Sequence, residues 1–262
     1  MQQALLPKVP AELPGAGIGV CYRPADRGRD VGGDWYDAFE LPTGRIGFAV
    51  GDVVGHDLKA AVAMGRLQQL LRYVAVGGSR PAKVLQALDE ACPAVTGTDF
   101  ATLGYAEYDP AEAVITYACA GHPPPLLVAD GRATYLNEAR SAPLGFQDGP
   151  RSEARLIVPS EAMLVWYSDG LIERRGEVVD RGLDRLAALA AGLSGTDAQQ
   201  WCESLLTGMT DGQLSTHREP GQVGGVGRPT AFRVRTARPS RPYQRSSPAE
   251  AKGWQLSRRT GK

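Results

Sequence analysis

The stretch Arg45-Ile46-Gly47-Phe48-Ala49-Val50-Gly51-Asp52-Val53-Val54-Gly55-His56-Asp57-Leu58 changes its hydrophobic period partway along. Ile46, Phe48 and Val50 alternate, so they share one face of a β-strand. From Leu58 to Val76 the apolar residues Leu58, Ala61, Val62, Leu67, Leu70, Leu71 and Val74 recur at three- and four-residue spacings, which predicts an amphipathic helix. Between the two, Asp52 follows Gly51 at the strand end. Two further aspartates share this setting: Asp34 in Val31-Gly32-Gly33-Asp34-Trp35-Tyr36-Asp37, and Asp169 in Val165-Trp166-Tyr167-Ser168-Asp169-Gly170. Asp and Gly are also ordinary turn residues. Three such carboxylates on different strand ends nevertheless suit a rigid all-oxygen site for a hard divalent cation. The absence of Cys/His clusters speaks against zinc, and the scatter of the three acids is unlike the compact loop of an EF-hand.

Outward from that stretch, Ile18–Tyr22 and Trp35–Leu41 also read as strands, and Pro42-Thr43-Gly44 closes a hairpin. A second helix is expected from Pro81, with Ser79 as a cap and Val84, Leu85 and Leu88 on its apolar face. Further strands are expected at Phe100–Tyr108, Val114–Ala118, Leu126–Val128, Ala133–Leu136, Leu156–Val158 and Met163–Tyr167, with turns at Asp109-Pro110 and Asp130-Gly131. Helices at Leu183–Ala191 and Asp197–Thr207 follow. Strands grouped with strands and helices with helices predict an α+β fold with layered sheets.

At 262 residues the chain has room for one large domain with or without an appendage. No run is long enough to span a bilayer and Met1 to Pro14 lacks the pattern of a secretion signal, so a soluble, cytoplasmic protein without membrane contact is expected. Cys21, Cys92, Cys119 and Cys202 are dispersed within apolar patterns, as small buried residues would be. The zero net charge hides an asymmetry: residues 1–216 carry 18 Lys/Arg against 27 Asp/Glu, whereas 217–262 carry 11 against only Glu219 and Glu250. That basic Pro/Gly/Arg-rich tail cannot bury enough surface to order itself and is expected to be disordered. With few aromatics, Tyr243 and Trp254 among them, interleaved with its arginines, nucleic-acid binding is not expected.

Five segments taken together, Val31 to Asp37, Gly51-Asp52-Val53-Val54-Gly55-His56, Ala120-Gly121-His122-Pro123-Pro124-Pro125, Pro143-Leu144-Gly145 and Tyr167-Ser168-Asp169-Gly170-Leu171-Ile172-Glu173, resemble the SpoIIE-like (RsbU-type) branch of the metal-dependent protein phosphatase (protein phosphatase 2C, PPM) family. The resemblance runs in order over about residues 3 to 210. It implies a four-layer α-β-β-α sandwich of two mainly antiparallel sheets flanked by helices, and hydrolysis of phosphoserine or phosphothreonine on a protein. It further implies two Mn²⁺ or Mg²⁺ ions, with Asp34 and Asp52 as ligands, Asp52 bridging, the carbonyl of Val53 completing one ion and Asp169 holding the other. A bridging carboxylate and a bridging hydroxide would offset the repulsion of two cations about 4 Å apart, and the ions would activate the shared water for in-line attack.

His56, four residues after Asp52, is read either as the proton donor to the leaving serine oxygen or as a cap for the helix near Leu58. His122, before three prolines, reads as a structural histidine, and Asp37 as an outer partner through water or a solvated surface residue. Gly15-Ala16-Gly17-Ile18-Gly19 precedes a strand and is no phosphate loop, Ser168 lacks a nucleophile elbow, and Arg174-Arg175 reads as a solvated pair.

The resemblance leads one to expect 1–14 as a linker stub, 15–216 as the phosphatase domain and 217–262 as the tail. It also leads one to expect a final acid before a last apolar strand. Here Gly212 to Gly225 offers no Asp pair and no attached strand, so that strand is expected to be missing; Asp211 or Glu219 are poor substitutes, and Phe232-Arg233-Val234 is at most an edge strand. Reduced or lost activity, or a need for high Mn²⁺, follows. The relatives suggest a phosphorylated anti-anti-sigma factor as substrate, with a regulatory partner or homodimer. The alternatives are a catalytically impaired binding protein that grips a phosphoprotein without turnover, and a small-molecule phosphoesterase. If the domain's end was replaced by a reading-frame shift, another frame of the coding DNA contains an acid followed by an apolar strand; its absence from both other frames refutes the shift.

Overall fold

The computed structural model describes residues 7–21, 33–55, 57–96, 101–146, 149–174, 176–210 and 229–234. In chain order the elements are β1 (Glu12–Leu13), β2 (Ala16–Val20), β3 (Trp35–Glu40), β4 (Ile46–Val53), α1 (Leu58–Val76), α2 (Pro81–Thr96), β5 (Ala101–Asp109) and β6 (Val114–Ala120). They continue with β7 (Leu126–Ala129), β8 (Arg132–Tyr135), β9 (Arg140–Ser141), β10 (Ala154–Ile157), β11 (Met163–Tyr167), α3 (Val179–Gly192), α4 (Ala198–Thr210) and β12 (Pro229–Val234). One sheet runs β1-β2-β12-β11-β7-β8 and the other β10-β6-β5-β4-β3, with β9 added parallel to β6. All other pairings are antiparallel.

Three apolar seams bind four layers. Leu67, Leu71, Val84, Leu85 and Leu88 of α1 and α2 meet Trp35, Val53 and Tyr105 on one sheet. Ile46, Phe48 and Val50, the alternating set, face inward against Leu164 and Trp166 of the other sheet. Val165 and Tyr167, on the opposite face of β11, pack with Leu186, Trp201 and Leu205 of α3 and α4. This is the α-β-β-α sandwich. Close approach is needed at two glycines: a Cβ on Gly104 would fall 1.8 Å from the Trp166 ring between the sheets, and one on Gly19 would fall 2.1 Å from the Ala198 carbonyl where α4 meets β2. All four cysteines are free and buried. Among the described residues no helix is long and apolar enough to cross a membrane.

The helix starts differ in detail from the sequence reading. Asp57, not His56, caps α1, its carboxylate accepting from Ala60 N at 2.9 Å. At α2, where Ser79 is the expected cap, the Ala82 N–H is taken by Glu153 from the distant β10 approach at 3.1 Å.

The last strand is the largest departure. Instead of being missing or added at an edge, β12 lies in the middle of its sheet, with Phe232 opposite Leu164 on β11 and Ile18 on β2. The remainder of the expected tail, residues 217–228 and 235–262, lies outside the described residues. Without β12, β2 and β11 would face each other across an empty ladder position. Truncation after Arg228 removes up to five paired positions on each side. At about 1 kcal/mol per hydrogen bond, and with a total stability on the order of 5–15 kcal/mol, this is expected to abolish cooperative unfolding. A thermal melt followed by circular dichroism checks it, and an unchanged midpoint would refute it.

Candidate metal centre

Asp52 and Val53 are the last two residues of β4, Asp34 immediately precedes β3, and Asp169 opens a short 3-10 turn, Asp169–Leu171, just past β11. The antiparallel register that sets Trp35 opposite Gly51 brings the Asp34 end of β3 beside the Asp52 end of β4. Val53 N donates to the Gly33 carbonyl at 3.2 Å. A Cβ on Gly33 would sit 1.8 Å from the Val53 oxygen, so the sequence Gly33-Asp34 is what lets this chain segment close on the Val53 peptide. From the other sheet, Ser168 Oγ donates to Asp34 Oδ2 at 3.2 Å, which ties the residue before Asp169 to Asp34.

Asp52 and Asp169 line one cleft of ≈ 320 Å³ together with Thr102, His122, Arg140, Glu173 and Asp180. The strand ends of both sheets thus converge on a single rim rich in carboxylates, the chemistry that suits a hard cation. Among the described residues no three His, Cys, Asp or Glu side chains gather closely enough to hold one ion by themselves.

His122 is buried, with Nδ1 3.1 Å from Thr102 Oγ1. Burial lowers its pKa to about 4, the Tyr167 backbone pulling weakly the other way, so the ring is neutral at neutral pH. Thr102 stands directly across from Asp52 in the β4–β5 ladder, so the histidine supports the wall behind that carboxylate. His56 lies outside the described residues.

Asp37 is neither solvated nor an outer partner of the rim. It is fully buried and takes Arg72 of α1 in a two-point pair at 2.6 Å on each oxygen. Arg72 stacks 4.7 Å over the Phe39 ring, and the hydrogen bonds it donates to Asp37 raise its pKa, burial opposing. Arg174 is likewise not a solvated residue: it donates to the Met209 carbonyl at 2.8 Å, where a cation suits the C-terminal end of α4. Its neighbour Arg175 lies outside the described residues.

Three charged cleft residues, Glu173, Asp180 and Arg140, carry no site role in the sequence reading. Glu173 stands four positions after Asp169, one helical turn on, and burial together with the Asp169 charge raises its pKa. That spacing was the available signal. Arg140 had none, because it reaches the cleft through the two-residue strand β9. The Pro143-Leu144-Gly145 segment follows it and is clamped: Leu144 N donates to the Ala101 carbonyl at 2.9 Å and Gly145 N to Asp89 at 3.1 Å. Arg151 pairs with Asp89 behind that segment and also donates to Ser141 Oγ at 2.6 Å and the Ala142 carbonyl at 2.8 Å.

Residues 42–219 match the family model described as Stage II sporulation protein E (SpoIIE). The chain is 32% identical over 181 residues to the phosphoserine phosphatase RsbU of Bacillus subtilis, covering 68% of this chain and 52% of that protein. It is 30% identical over 150 residues to the phosphoserine phosphatase RsbP of the same organism, covering 55% and 37%. The chain therefore spans about half or less of these curated relatives. Among solved structures, the RsbU and RsbW domains of a Mycobacterium tuberculosis protein match with a TM-score of 0.76 and 32% identity, over 88% of this chain and 63% of that one. The PP2C phosphatase domain of SpoIIE from Bacillus subtilis, with a fragment of its regulatory domain, matches with a TM-score of 0.70 and 18% identity, over 84% and 64%.

The buried His122 makes a prediction about pH. Its pKa is about 4 folded against an unperturbed 6.5, so between those values the unfolded chain binds more protons and stability falls as the pH falls. The stabilising contribution is complete above about pH 6.5 and is lost progressively toward pH 4, on the order of 3 kcal/mol in all. His122→Gln is expected to remove that part of the slope in urea melts between pH 4 and 7. An identical slope in wild type and variant would show that His122 is not its source.

Proposed function

The chain belongs to the SpoIIE family and shares the fold of the PP2C phosphatase domain of SpoIIE, and on that premise we propose that it is a metal-dependent protein serine/threonine phosphatase. The observation that carries this reading is the meeting of strand ends from two sheets at one acidic rim: Gly33-Asp34 against Val53, Asp34 against Ser168, and Asp52 with Asp169 in a single cleft. In this reading Asp34, Asp52 and the Val53 carbonyl hold one Mn²⁺ or Mg²⁺, and Asp52 and Asp169 hold a second. Each ion then draws on only two of the described carboxylates, which agrees with the absence of any three-residue cluster among them. Bound ions of this kind supply the charge that lowers the pKa of a shared water and offsets developing charge on phosphorus.

The chain's own groups do the rest. The Gly33–Val53 contact orients the carbonyl, and the Ser168 hydroxyl donates to Asp34 Oδ2 and holds that carboxylate at the rim. His122, held neutral, has no proton to spare as a general acid at neutral pH. His56 remains the proposed donor to the leaving serine oxygen. The resemblance to RsbU and RsbP supports a phosphorylated anti-anti-sigma factor as the substrate, and a regulatory partner or homodimer as the means of control.

One observation favours a second reading. β12 fills the last ladder position, yet residues 220–249 contain no Asp or Glu, so the strand arrives without a carboxylate before it. In this reading a protein short of that ligand holds the Asp169 ion weakly and grips a phosphoprotein without turnover. Phosphate release from a phosphoserine protein over a Mn²⁺ series separates the two. Turnover that needs millimolar Mn²⁺ and falls about a hundredfold or more in Asp52→Asn and Asp169→Asn is the outcome expected of the enzyme. Phosphoprotein binding with no bound metal and no release would establish the binding protein instead.

A further inference from the structure

Among the described residues that line the cleft, one side chain is cationic. Arg140 lines the cleft with Asp52, Asp169, Glu173 and Asp180. The ion pairs formed among the described residues use Arg45, Arg72, Arg80, Arg151 and Arg185, and Arg140 enters none of them despite four carboxylates in the same cleft. Its side chain is exposed, but its backbone is not free to drift. Arg140 pairs with Cys119 and Ser141 with Ala120 in the parallel β9–β6 ladder. Ser141 Oγ donates to the Cys119 carbonyl at 2.7 Å while accepting from the buried Arg151. The Arg140 charge is felt at the end of β11: burial pushes the Tyr167 hydroxyl up, and pushes the Cys119 thiol up to about 12, and Arg140 offsets part of both.

Charge balance gives this placement a consequence. Among the described residues Asp52, Asp169, Glu173 and Asp180 line the cleft, and Arg140 is the one cationic side chain beside them. Such an acidic wall repels a phosphate dianion, and a guanidinium placed in it offsets that repulsion. A guanidinium fork also matches two phosphate oxygens, which a point charge does not.

We propose that Arg140 is a substrate-binding residue that contacts the phosphoryl oxygens of a phosphomonoester in this cleft. The assignment rests on the phosphatase reading and extends it to a residue that no motif indicates. It is tested with the full chain in Mn²⁺, comparing wild type, Arg140→Lys and Arg140→Ala for turnover of p-nitrophenyl phosphate and of a phosphoserine peptide, and for binding of inorganic phosphate by titration calorimetry. Because Arg140 is exposed, the melting temperature is expected to stay the same, which shows that the variants fold. In Arg140→Ala, KM for both substrates and Kd for inorganic phosphate are expected to rise about tenfold or more, with a smaller change in kcat, and Arg140→Lys to recover part of the loss. Equal phosphate affinity in wild type and Arg140→Ala, or no phosphate binding by wild type, overturns the assignment. Tight, Arg140-dependent phosphate binding without any turnover would leave Arg140 in place and refute the phosphatase reading.

Discussion

Carboxylates crowded onto one rim repel each other, so a site made of Asp34, Asp52, Asp169 and Glu173 exists only if something stronger holds their backbones together. Here that is the inter-sheet seam. Ile46, Phe48 and Val50 on β4 and Leu164 and Trp166 on β11 are buried against one another, and the same two strands carry Asp52 and lead to Asp169 at their ends. Burial of large apolar side chains contributes about 1.5–3 kcal/mol each, enough for a handful of them to outweigh partly solvated like-charge repulsion. The acids are therefore passengers on strand ends fixed by apolar contacts several residues back.

The helical layers are joined to the sheets by polar as well as apolar contacts. Asp37 and Arg72 pin β3 to α1, and Asp89 and Arg151 pin α2 to the loop after β9. Each pair is buried on one side at least, and each guanidinium is used at several donors, which is the condition under which a buried ion pair offsets its own desolvation. Both clamps stand behind the cleft: one backs the strand that follows Asp34, the other the segment that presents Arg140. Removing one partner would leave the other charged and buried, so these pairs define where the helices sit more than they add to stability.

The cleft thus combines an acidic floor suited to divalent cations with an arginine on its wall that enters no ion pair among the described residues, and the sheet that completes it is closed by a strand from far along the chain. β12 supplies backbone hydrogen bonds to β2 and β11 whatever its side chains are, which is why the scaffold can be whole even though no acid accompanies the strand. Scaffold and chemistry are separable here. The ladder needs only N–H and C=O groups, while a metal centre of the kind proposed needs particular oxygens.

The chain's local patterns determined the elements and the acids at their ends. The period-two run Ile46-Phe48-Val50 became β4, the strand-like runs Phe100–Tyr108 and Met163–Tyr167 became β5 and β11, the three- and four-residue spacing became α1 over Leu58–Val76, and Asp34, Asp52 and Asp169 fell at strand termini as their Gly neighbours indicated. Such features are legible because side-chain alternation and helical spacing are properties of consecutive residues. Tertiary structure alone decided that Ser168 meets Asp34 across 134 positions, that Asp37 turns inward to Arg72, that β12 enters the middle of a sheet, and that Arg140 faces the acids. Those outcomes depend on which strands pair and which faces are covered, and a polar residue reads the same in sequence whether its partner is water or a side chain brought from the far end of the chain.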